Sequence, residues 1–342
     1  MERKAGNVIK VKSMITTVDA HVEGEAIRLV TGGVPYIPGK TMVEKNAFAQ
    51  KTLDYLRTSL NYEPRGHNAM FTGILTPPVT ENASYGILFA SQIGYANMCG
   101  HASMGIAAIA VETGIVEPKE PVTEIAFDTP AGTAHARVNI EGGRIKSVTI
   151  QNVPSFLYKT VRVKLPGLGD LYVDVVYGGN FFAIVQMQDI GIKPHVDDIQ
   201  RAAGLLTQIK EDVEQQVNIQ HPELGSIKGI RLFLLNDKPR NPKADILNIA
   251  CTSYGTCIGR SPSGTATSAK MAALYSKGQL GLGETFITES IIGSLFYGKL
   301  VKELSVGSFK AVLPEVTGRV FITGRHNFVI DEDDPFKYGF QI

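Results

Sequence analysis

The chain contains two copies of a short pattern in which small residues open an alanine-rich helical stretch. The first copy is Cys99-Gly100-His101-Ala102-Ser103, and the second is Ser263-Gly264-Thr265-Ala266-Thr267. Each copy is followed by an acidic residue with a glycine shortly after it, in Asp128–Gly132 and in Glu289–Gly293. Two matches in the same order and at nearly the same offset indicate an internal duplication. A chain with such a duplication is expected to fold as two similar halves.

Strand-forming segments dominate the rest of the sequence, and the helical patterns are few and isolated. Strands in hairpin-like runs around single helices are typical of an α+β fold, and a regular strand-helix alternation is absent. The helical patterns lie at Thr41–Leu60, His101–Glu112, Asp197–Gln216 and Thr265–Lys277. Runs of β-branched and aromatic residues predict strands at Ser13–Val18, Ala26–Val30, Ser84–Ser91, Thr123–Phe127, Thr133–Asn139, Lys146–Asn152, Thr160–Leu165, Leu171–Val176, Phe181–Met187, Ile227–Leu235, Ala244–Ile249, Thr285–Ser290, Leu295–Leu300, Ser308–Val312 and Gly318–Ile322.

The length of the chain fits two domains. Its 342 residues come close to two units of ~150 residues each. A strand run ends at a proline within Pro154–Tyr158, which is where we place the join. We therefore predict an N-terminal half over residues 1–155, with Cys99, and a C-terminal half over residues 156–324, with Ser263. The tail at 325–342 is expected to pack back on the first half.

The charge balance and the cysteine content argue against several classes of protein. The 34 Lys and Arg residues nearly balance the 33 Asp and Glu residues, which argues against a nucleic-acid or membrane-surface protein. Three cysteines do not form a disulfide framework, and no apolar run has the length of a signal core or a membrane helix. We expect a cytoplasmic protein with free thiols. Its expected partner is a small molecule, and a homodimer is left open.

Cys99 is the strongest candidate for a catalytic residue. Free backbone amides and the positive end of the dipole at a helix start stabilise a thiolate, so we expect a lowered pKa for this thiol. The alternative is a buried and inert cysteine, but the flexible Gly100 and the polar His101 beside it do not suit that role. His101 is expected to point along the helix, which places it poorly as a base for Cys99.

Ser263 holds the equivalent place in the second half. Serine is a good helix N-cap, and the amides of Gly264 and Thr265 are free to bind an anion, so capping and substrate binding are compatible there. Two such helix starts facing each other across a cleft would trap a carboxylate. A thiolate beside a trapped carboxylate indicates proton abstraction at the neighbouring carbon.

Other sites are less well supported by the sequence. Gly278–Gly283 is rich in glycine but has no lysine and no strand-turn-helix context, so we do not predict a nucleotide site. Asp19–Glu25 places four potential metal ligands on one face of a strand, for which a solvated face is the simpler interpretation. His67 lies in a loop and suits a structural role equally well. We predict no metal and no organic cofactor.

Motifs along almost the whole chain resemble those of the cofactor-independent proline racemase family. The resemblance implies two similar α/β halves of the diaminopimelate-epimerase type around a central cleft. It also implies proline racemase, 4-hydroxyproline 2-epimerase or trans-3-hydroxy-L-proline dehydratase activity. The matching segments are Asp19–Glu25 with Arg28, Arg65–His67, Met98–His101, Asp128–Gly132, Tyr177–Ala183, Arg260–Thr265 and the closing Asp334–Phe340.

The second motif departs from the family at two positions. The family's usual Asp-Arg-Ser-Pro-Cys-Gly-Thr is here Gly259-Arg260-Ser261-Pro262-Ser263-Gly264-Thr265. The second thiol is therefore a hydroxyl, and the aspartate that meets the substrate's ring amine is a glycine. Family racemases use two cysteines, whereas elimination needs only one strong base, and family dehydratases carry a hydroxyl residue at this position.

The resemblance is thus closest to the dehydratase branch. We predict dehydration of trans-3-hydroxy-L-proline to pyrroline-2-carboxylate, with Cys99 as the base and Ser263 at the leaving hydroxyl. The substrate would be held at Gly100, His101, Gly259, Gly264 and Thr265. A racemase or epimerase is the alternative enzyme, and a binding protein without turnover is the alternative from another class.

Overall fold

Long strands make up most of the fold, as the sequence predicts. The computed structural model describes residues 11–341 apart from residues 166, 168 and 256. Its strands are β1 (Val11–Val22), β2 (Glu25–Gly32), β3 (Phe71–Thr76), β4 (Tyr85–Ser91), β5 (Gly94–Ala96), β6 (Val122–Thr129), β7 (Gly132–Glu141), β8 (Arg144–Gln151), β9 (Phe156–Leu165), β10 (Gly169–Tyr177), β11 (Phe181–Gln186), β12 (Leu232–Asp237), β13 (Ile246–Cys251), β14 (Thr285–Glu289), β15 (Leu295–Val306), β16 (Phe309–Gly318) and β17 (Val320–Asp331). Its α-helices are α1 (Met42–Thr52), α2 (Asp54–Asn61), α3 (Gly100–Glu112), α4 (Val196–Arg201), α5 (Ala203–Gln216) and α6 (Gly264–Ser276).

The strand pairing repeats itself in the two parts of the chain. The strands β1, β2, β3, β4, β6, β7 and β8 pair in that order, with parallel contacts at β2–β3 and β4–β6. The strands β10 to β16 repeat the order, with parallel contacts at β11–β12 and β13–β14. An outer strand adds to each series, β17 beside β1 and β9 beside β10, and β8 pairs with β16 where the series meet. The fold is the predicted α+β arrangement of two pseudo-symmetric halves.

A buried helix occupies the same place in each series. Every residue of α3 from Gly100 to Val111 is buried, and so is every residue of α6 from Gly264 to Ala273. Glycine, alanine and serine dominate both segments, so strands can approach these helices from several sides. A helix that is apolar almost all round, as α3 is and as α6 is apart from Lys270, is stable only when it is enclosed. Burial of α3 and α6 places their first residues deep inside the molecule.

The two acidic residues of the internal repeat have the same structural role, since each accepts hydrogen bonds from two loop amides. Asp128 at the end of β6 accepts hydrogen bonds from the amides of Val79 and Thr80, both at 2.8 Å. Glu289 at the end of β14 accepts from the amides of Arg240 and Asn241, at 2.6 and 2.9 Å. Each carboxylate therefore anchors the loop that crosses the end of its strand, and neither takes part in the cavity described below.

The end of the chain packs against its beginning. Strand β17 pairs antiparallel with β1, Asp334 forms a 2.7 Å ion pair with Arg65, and Phe340 bridges to Glu63. Arg65 and Asp334 thus have a structural role. The exact division of the chain at residue 155 stays a prediction. Among the described residues, no helix has the length and apolarity needed to cross a membrane.

Several elements differ from the sequence prediction, among them the unpredicted β5 and the longer β17. The segment Thr41–Leu60 forms two helices because Leu53 leaves the helical conformation, with φ −122° and ψ 15°. Asp197–Gln216 is likewise divided at Ala202, which separates α4 from α5. Strand β3 was not predicted, because Gly73 in its middle weakens the local strand signal. Its conformation depends instead on pairing with β2 and β4 on either side.

Candidate active site

The first residues of α3 and α6 touch each other. A Cβ atom built on Gly100 would lie 2.8 Å from the Cα atom of Gly264, and one built on Gly264 would lie 3.0 Å from the Cα atom of Gly100. Only glycine permits this approach of two backbones. Both helices therefore direct free amides and the positive ends of their dipoles at one point, which favours an anion.

This contact gives a first prediction. Gly100→Ala is expected to lower, at least tenfold, the rate at which the Cα proton of a bound imino acid exchanges with solvent. The new methyl group forces the two helix starts apart and misplaces their amides. The rate is measured by NMR with L-proline in D2O. Gly204→Ala in α5 is the matched control, since a Cβ atom there meets nothing within 4 Å. Equal rates for the two variants would contradict the role of the contact.

A largely apolar cavity opens at these helix starts. Cys99, His101, Gly259, Ser263 and Thr265 line it, while Gly100 and Gly264 form the contact beneath. The structure thus brings the seven predicted site residues together. The other residues lining the cavity are Glu25, Phe71, Ile93, Ala96, Met98, Asn180, Arg231, Leu232, Ala250, Cys257 and Ser261.

The Cys99 thiol is at the N-cap of α3 and is nearly enclosed. Its residue is 6% exposed and has an extended backbone, with φ −143° and ψ 109°. Burial raises the pKa of this thiol, and the amide of Ala102 lowers it by a smaller amount. The predicted lowering of the pKa is therefore wrong. Loss of solvent around the thiolate outweighs the effect of the helix start, because the thiol is enclosed by largely apolar walls.

His101 contacts the thiol directly, so its predicted misplacement is also wrong. The Nδ1 atom of its ring lies 3.3 Å from Sγ of Cys99. Cys99 is outside the helix in an extended conformation, and side chains in the first turn lean towards the helix start, which brings the two together. Burial lowers the pKa of His101 to about 3, and the ring packs edge-on against Phe71 with centroids 4.8 Å apart. The neutral imidazole is placed to orient the thiol.

These two groups predict the pH dependence of the reaction. Burial raises the pKa of Cys99, so the thiol is protonated near neutral pH. The active thiolate therefore becomes steadily more abundant as the pH rises through this range. We expect the rate of Cα-proton exchange to increase about tenfold per pH unit from about pH 6 upwards. His101, whose pKa is lowered to about 3, stays neutral over this range and adds no inflection near its ordinary pKa. A rate that levels off below about pH 7 would contradict this assignment.

Ser263 combines a capping role with a strained backbone. Its Oγ atom accepts from the amide of Ala266 at 3.3 Å and lies 3.4 Å from Oγ1 of Thr265. Its φ of 62° is in the left-handed region, which costs a residue other than glycine on the order of 1 kcal/mol. Among the described residues, no histidine, lysine or carboxylate hydrogen-bonds to this hydroxyl. The side chain is an N-cap that faces the cavity and has no base to activate it.

Gly259 lies beside a buried carboxyl group. A Cβ atom on Gly259 would be 3.5 Å from Oε2 of Glu25, whose residue is 5% exposed. That oxygen accepts from the amides of Arg260 and, at 3.0 Å, Ser261. Burial raises the pKa of Glu25 despite these bonds. An acid from a distant strand thus lies next to the position at which the family has its aspartate.

Asp19–Glu25 does not form one strand face, because β1 ends at Val22, the chain turns at Glu23 and Gly24, and β2 begins at Glu25. The interpretation as a solvated face is wrong as well. Asp19 forms a 2.8 Å ion pair with Arg28, and Glu23 forms a 2.9 Å ion pair with Arg319. All three acids are buried because β1 pairs on both sides and β2 leads into the core. The alternation of acidic residues and histidine in Asp19–Glu25 drew attention to these positions. It did not show that two of the acids pair with arginines elsewhere in the chain.

Three further polar residues of the cavity were not predicted. Asn180 donates to the carbonyl of Met98 at 2.8 Å, and its buried Oδ1 atom has no hydrogen-bond partner among the described residues. Cys257 places a second thiol on the cavity wall, and burial raises its pKa to about 11. Arg231 adds a guanidinium group. Asn180 alone had a sequence signal, since it belongs to the Tyr177–Ala183 motif.

Known proteins resemble this chain over its whole length. The family model described as proline racemase matches residues 17–341. The chain is 44% identical to a proline racemase of Acetoanaerobium sticklandii, over 98% of this chain and 100% of that protein. It is 38% identical to a trans-3-hydroxy-L-proline dehydratase of Bacillus cereus, over 97% of this chain and 99% of that protein.

A solved structure gives the same result for the fold. The crystal structure of a hydroxyproline epimerase from Agrobacterium vitis, with bound trans-4-hydroxy-L-proline, superposes with a TM-score of 0.88 at 29% identity. The superposition covers 97% of this chain and 96% of that one. The diaminopimelate-epimerase type of fold expected from the motifs is confirmed. With relatives of both kinds matching end to end, the chain belongs to the proline racemase family and is one of its isomerase or dehydratase enzymes.

Proposed function

We propose that this protein dehydrates trans-3-hydroxy-L-proline to pyrroline-2-carboxylate without a cofactor. The observation that carries the proposal is the asymmetry of the two helix starts, a thiol at Cys99 and a capping hydroxyl at Ser263. A thiol can be tuned to act as a base near neutral pH, whereas an alkyl hydroxyl without a neighbouring base cannot. Inversion needs an effective group on both faces of Cα, and elimination needs one.

The proposed reaction begins with binding of the substrate carboxylate at the helix starts. This group is held by the amides of Gly100, His101, Gly264 and Thr265. The helix starts then stabilise the negative charge that spreads from Cα into the carboxylate when the Cα proton leaves. Cys99 takes the Cα proton, the electron pair forms the double bond to C3, and the C3–O bond breaks. The hydroxyl leaves as water after it receives a proton, for which Ser263 and Thr265 form the nearest hydroxyl pair. The resulting enamine tautomerises to pyrroline-2-carboxylate.

We assign the substrate's ring ammonium to Glu25. Its carboxyl lies beside Gly259, and an ammonium would favour the ionised form that burial disfavours. Glu25→Gln is expected to weaken binding of L-proline at least tenfold and that of the uncharged-ring analogue pyrrole-2-carboxylate much less. Calorimetric titration of both ligands measures this difference. Equal losses for the two would contradict the assignment and would indicate that Glu25 acts through the loop at Arg260 and Ser261.

Racemisation of proline or epimerisation of 4-hydroxyproline is the second candidate. The Cys257 thiol favours it, because this group lines the same cavity as Cys99 and is protonated at neutral pH. A proton donor on the wall could return a proton to Cα without a thiol at position 263. In that case Cys257→Ser would stop inversion and leave exchange of the Cα proton in place.

One NMR experiment in D2O separates these functions. The purified protein is incubated with L-proline, trans-4-hydroxy-L-proline and trans-3-hydroxy-L-proline, and the Cα proton, the products and the optical configuration are followed. We expect loss of water from the 3-hydroxy substrate, with proline keeping its configuration. Racemisation of proline at a comparable rate would favour the second candidate. Binding of all three without any exchange would identify a binding protein.

A further inference from the structure

Arg231 introduces a positive charge that favours the Cys99 thiolate and to which the reaction above assigns no substrate group. The residue directly precedes β12, and its amide donates to the carbonyl of Phe181 at 3.0 Å. Its half-buried side chain lines the cavity together with Cys99 and Cys257. Among the described residues, the guanidinium group has neither an ion pair nor a hydrogen bond. A partly buried guanidinium that lacks these contacts favours an anionic group nearby, which can be the Cys99 thiolate or a group of a ligand.

A second cavity continues from this arginine. It has a volume of about 450 Å³ and shares Ile93, Asn180 and Arg231 with the first cavity. Lys210 and Lys228 also line it, and no aspartate or glutamate does. Within the part of the chain that the structure describes, neither lysine forms an ion pair.

The carboxylate of Glu214, next to this wall, is hydrogen-bonded to the backbone. Glu214, one turn after Lys210 in α5, accepts from the amide of Ile230 at 2.7 Å and does not line either cavity. Lys210, Lys228 and Arg231 therefore line connected cavities in which Glu25, beside Gly259, is the one carboxyl group of the described residues. Such an arrangement attracts anions and raises their local concentration.

The charges of a bound imino acid leave Arg231 unused. In the proposed reaction the helix starts bind the carboxylate, and Glu25 beside Gly259 meets the ring ammonium. A zwitterionic imino acid would therefore leave Arg231 without a substrate group to contact. We propose that the two cavities together bind an imino acid with a second carboxylate, directed towards Arg231 and the lysine-lined cavity. This inference rests on the proposed binding of the first carboxylate, not on trans-3-hydroxy-L-proline as the natural substrate.

Planar inhibitors that do not react test the proposal. Pyrrole-2-carboxylate is compared by calorimetry with the pyrrole-2,3-, 2,4- and 2,5-dicarboxylates, using the full-length protein. We expect at least one dicarboxylate to bind about tenfold tighter than the monocarboxylate, as a charge-assisted contact to a guanidinium would provide. In Arg231→Met this advantage should disappear, while binding of the monocarboxylate changes less than about threefold. The advantage should also weaken as salt is added.

Two further variants distinguish recognition of charge from a defect in packing. Arg231→Lys retains the charge and should retain part of the advantage, which separates charge recognition from a packing defect. Arg201→Met is the matched control, because Arg201 is exposed on α4 and lines neither cavity. The proposal is overturned if no dicarboxylate binds more tightly than the monocarboxylate. It is equally overturned if the advantage survives in Arg231→Met, or if that variant weakens both kinds of ligand equally.

The same measurements remain distinct from the test of the proposed function. A protein that fails to dehydrate trans-3-hydroxy-L-proline can still prefer the dicarboxylate, which would support the second anion site and refute the substrate. A protein that dehydrates this substrate but shows no preference would refute only the second anion site.

Discussion

Replacing Cys99 by serine is expected to lower both turnover and Cα-proton exchange by about a thousandfold or more. The serine hydroxyl has nearly the same size but is a far weaker acid, so the base that starts every proposed reaction is lost. Removal of a general base typically costs between about 10² and 10⁴ in rate. Exchange with L-proline in D2O measures the base directly, since it does not depend on whether the enzyme eliminates or inverts.

Cys251→Ser is the matched control for this variant. Cys251 is buried on β13 and lies outside the cavity that holds Cys99. Its replacement is expected to leave exchange within about threefold of the wild type, because it makes no contact with the proposed substrate. Cys257 is unsuited as a control, since its thiol lines the same cavity. Substantial exchange in Cys99→Ser would rule out the proposed base.

Replacing Ser263 by cysteine is expected to create racemisation of L-proline where the wild type has little or none. The new thiol would stand across the substrate from Cys99 and supply the group that inversion requires. The substitution is nearly isosteric, and cysteine is expected to adopt the φ of 62° at this position at about the same cost as serine. Loss of a good capping oxygen to Ala266 costs about 1 kcal/mol, which the fold should tolerate. Polarimetry or chiral chromatography of L-proline reports the gain.

Ser261→Cys provides the comparison for that gain. Ser261 lines the same cavity and is buried, so its variant adds a thiol of the same kind at a different place. Racemisation in Ser263→Cys but not in Ser261→Cys would show that the position at the helix start matters. Equal racemisation in the wild type and in Ser263→Cys would instead show that the hydroxyl is no barrier to inversion.

The electrostatics of the site were the least predictable from the sequence. A helix start beside Cys99 predicts a lowered pKa, and that local effect is present in the amide of Ala102. It is outweighed by desolvation, which depends on how many atoms from other segments surround the thiol. The neutral state of His101 has the same origin, because Phe71 on β3 and the cavity walls exclude water from its ring.

The two helix starts and their free amides were determined by the sequence itself. Small residues after Cys99 and Ser263 predict these amides, because a helix start depends on neighbouring residues and their backbone conformation. The direct contact of Gly100 with Gly264 is tertiary, since the sequence predicted only that the two starts face each other across a cleft. Tertiary structure alone decided which distant side chains join them. Glu25, Arg231 and Cys257 lie on separate strands and loops, and strand pairing brings them to one cavity. Burial and charge at that cavity are sums over atoms far apart in the chain, so no local pattern contains them.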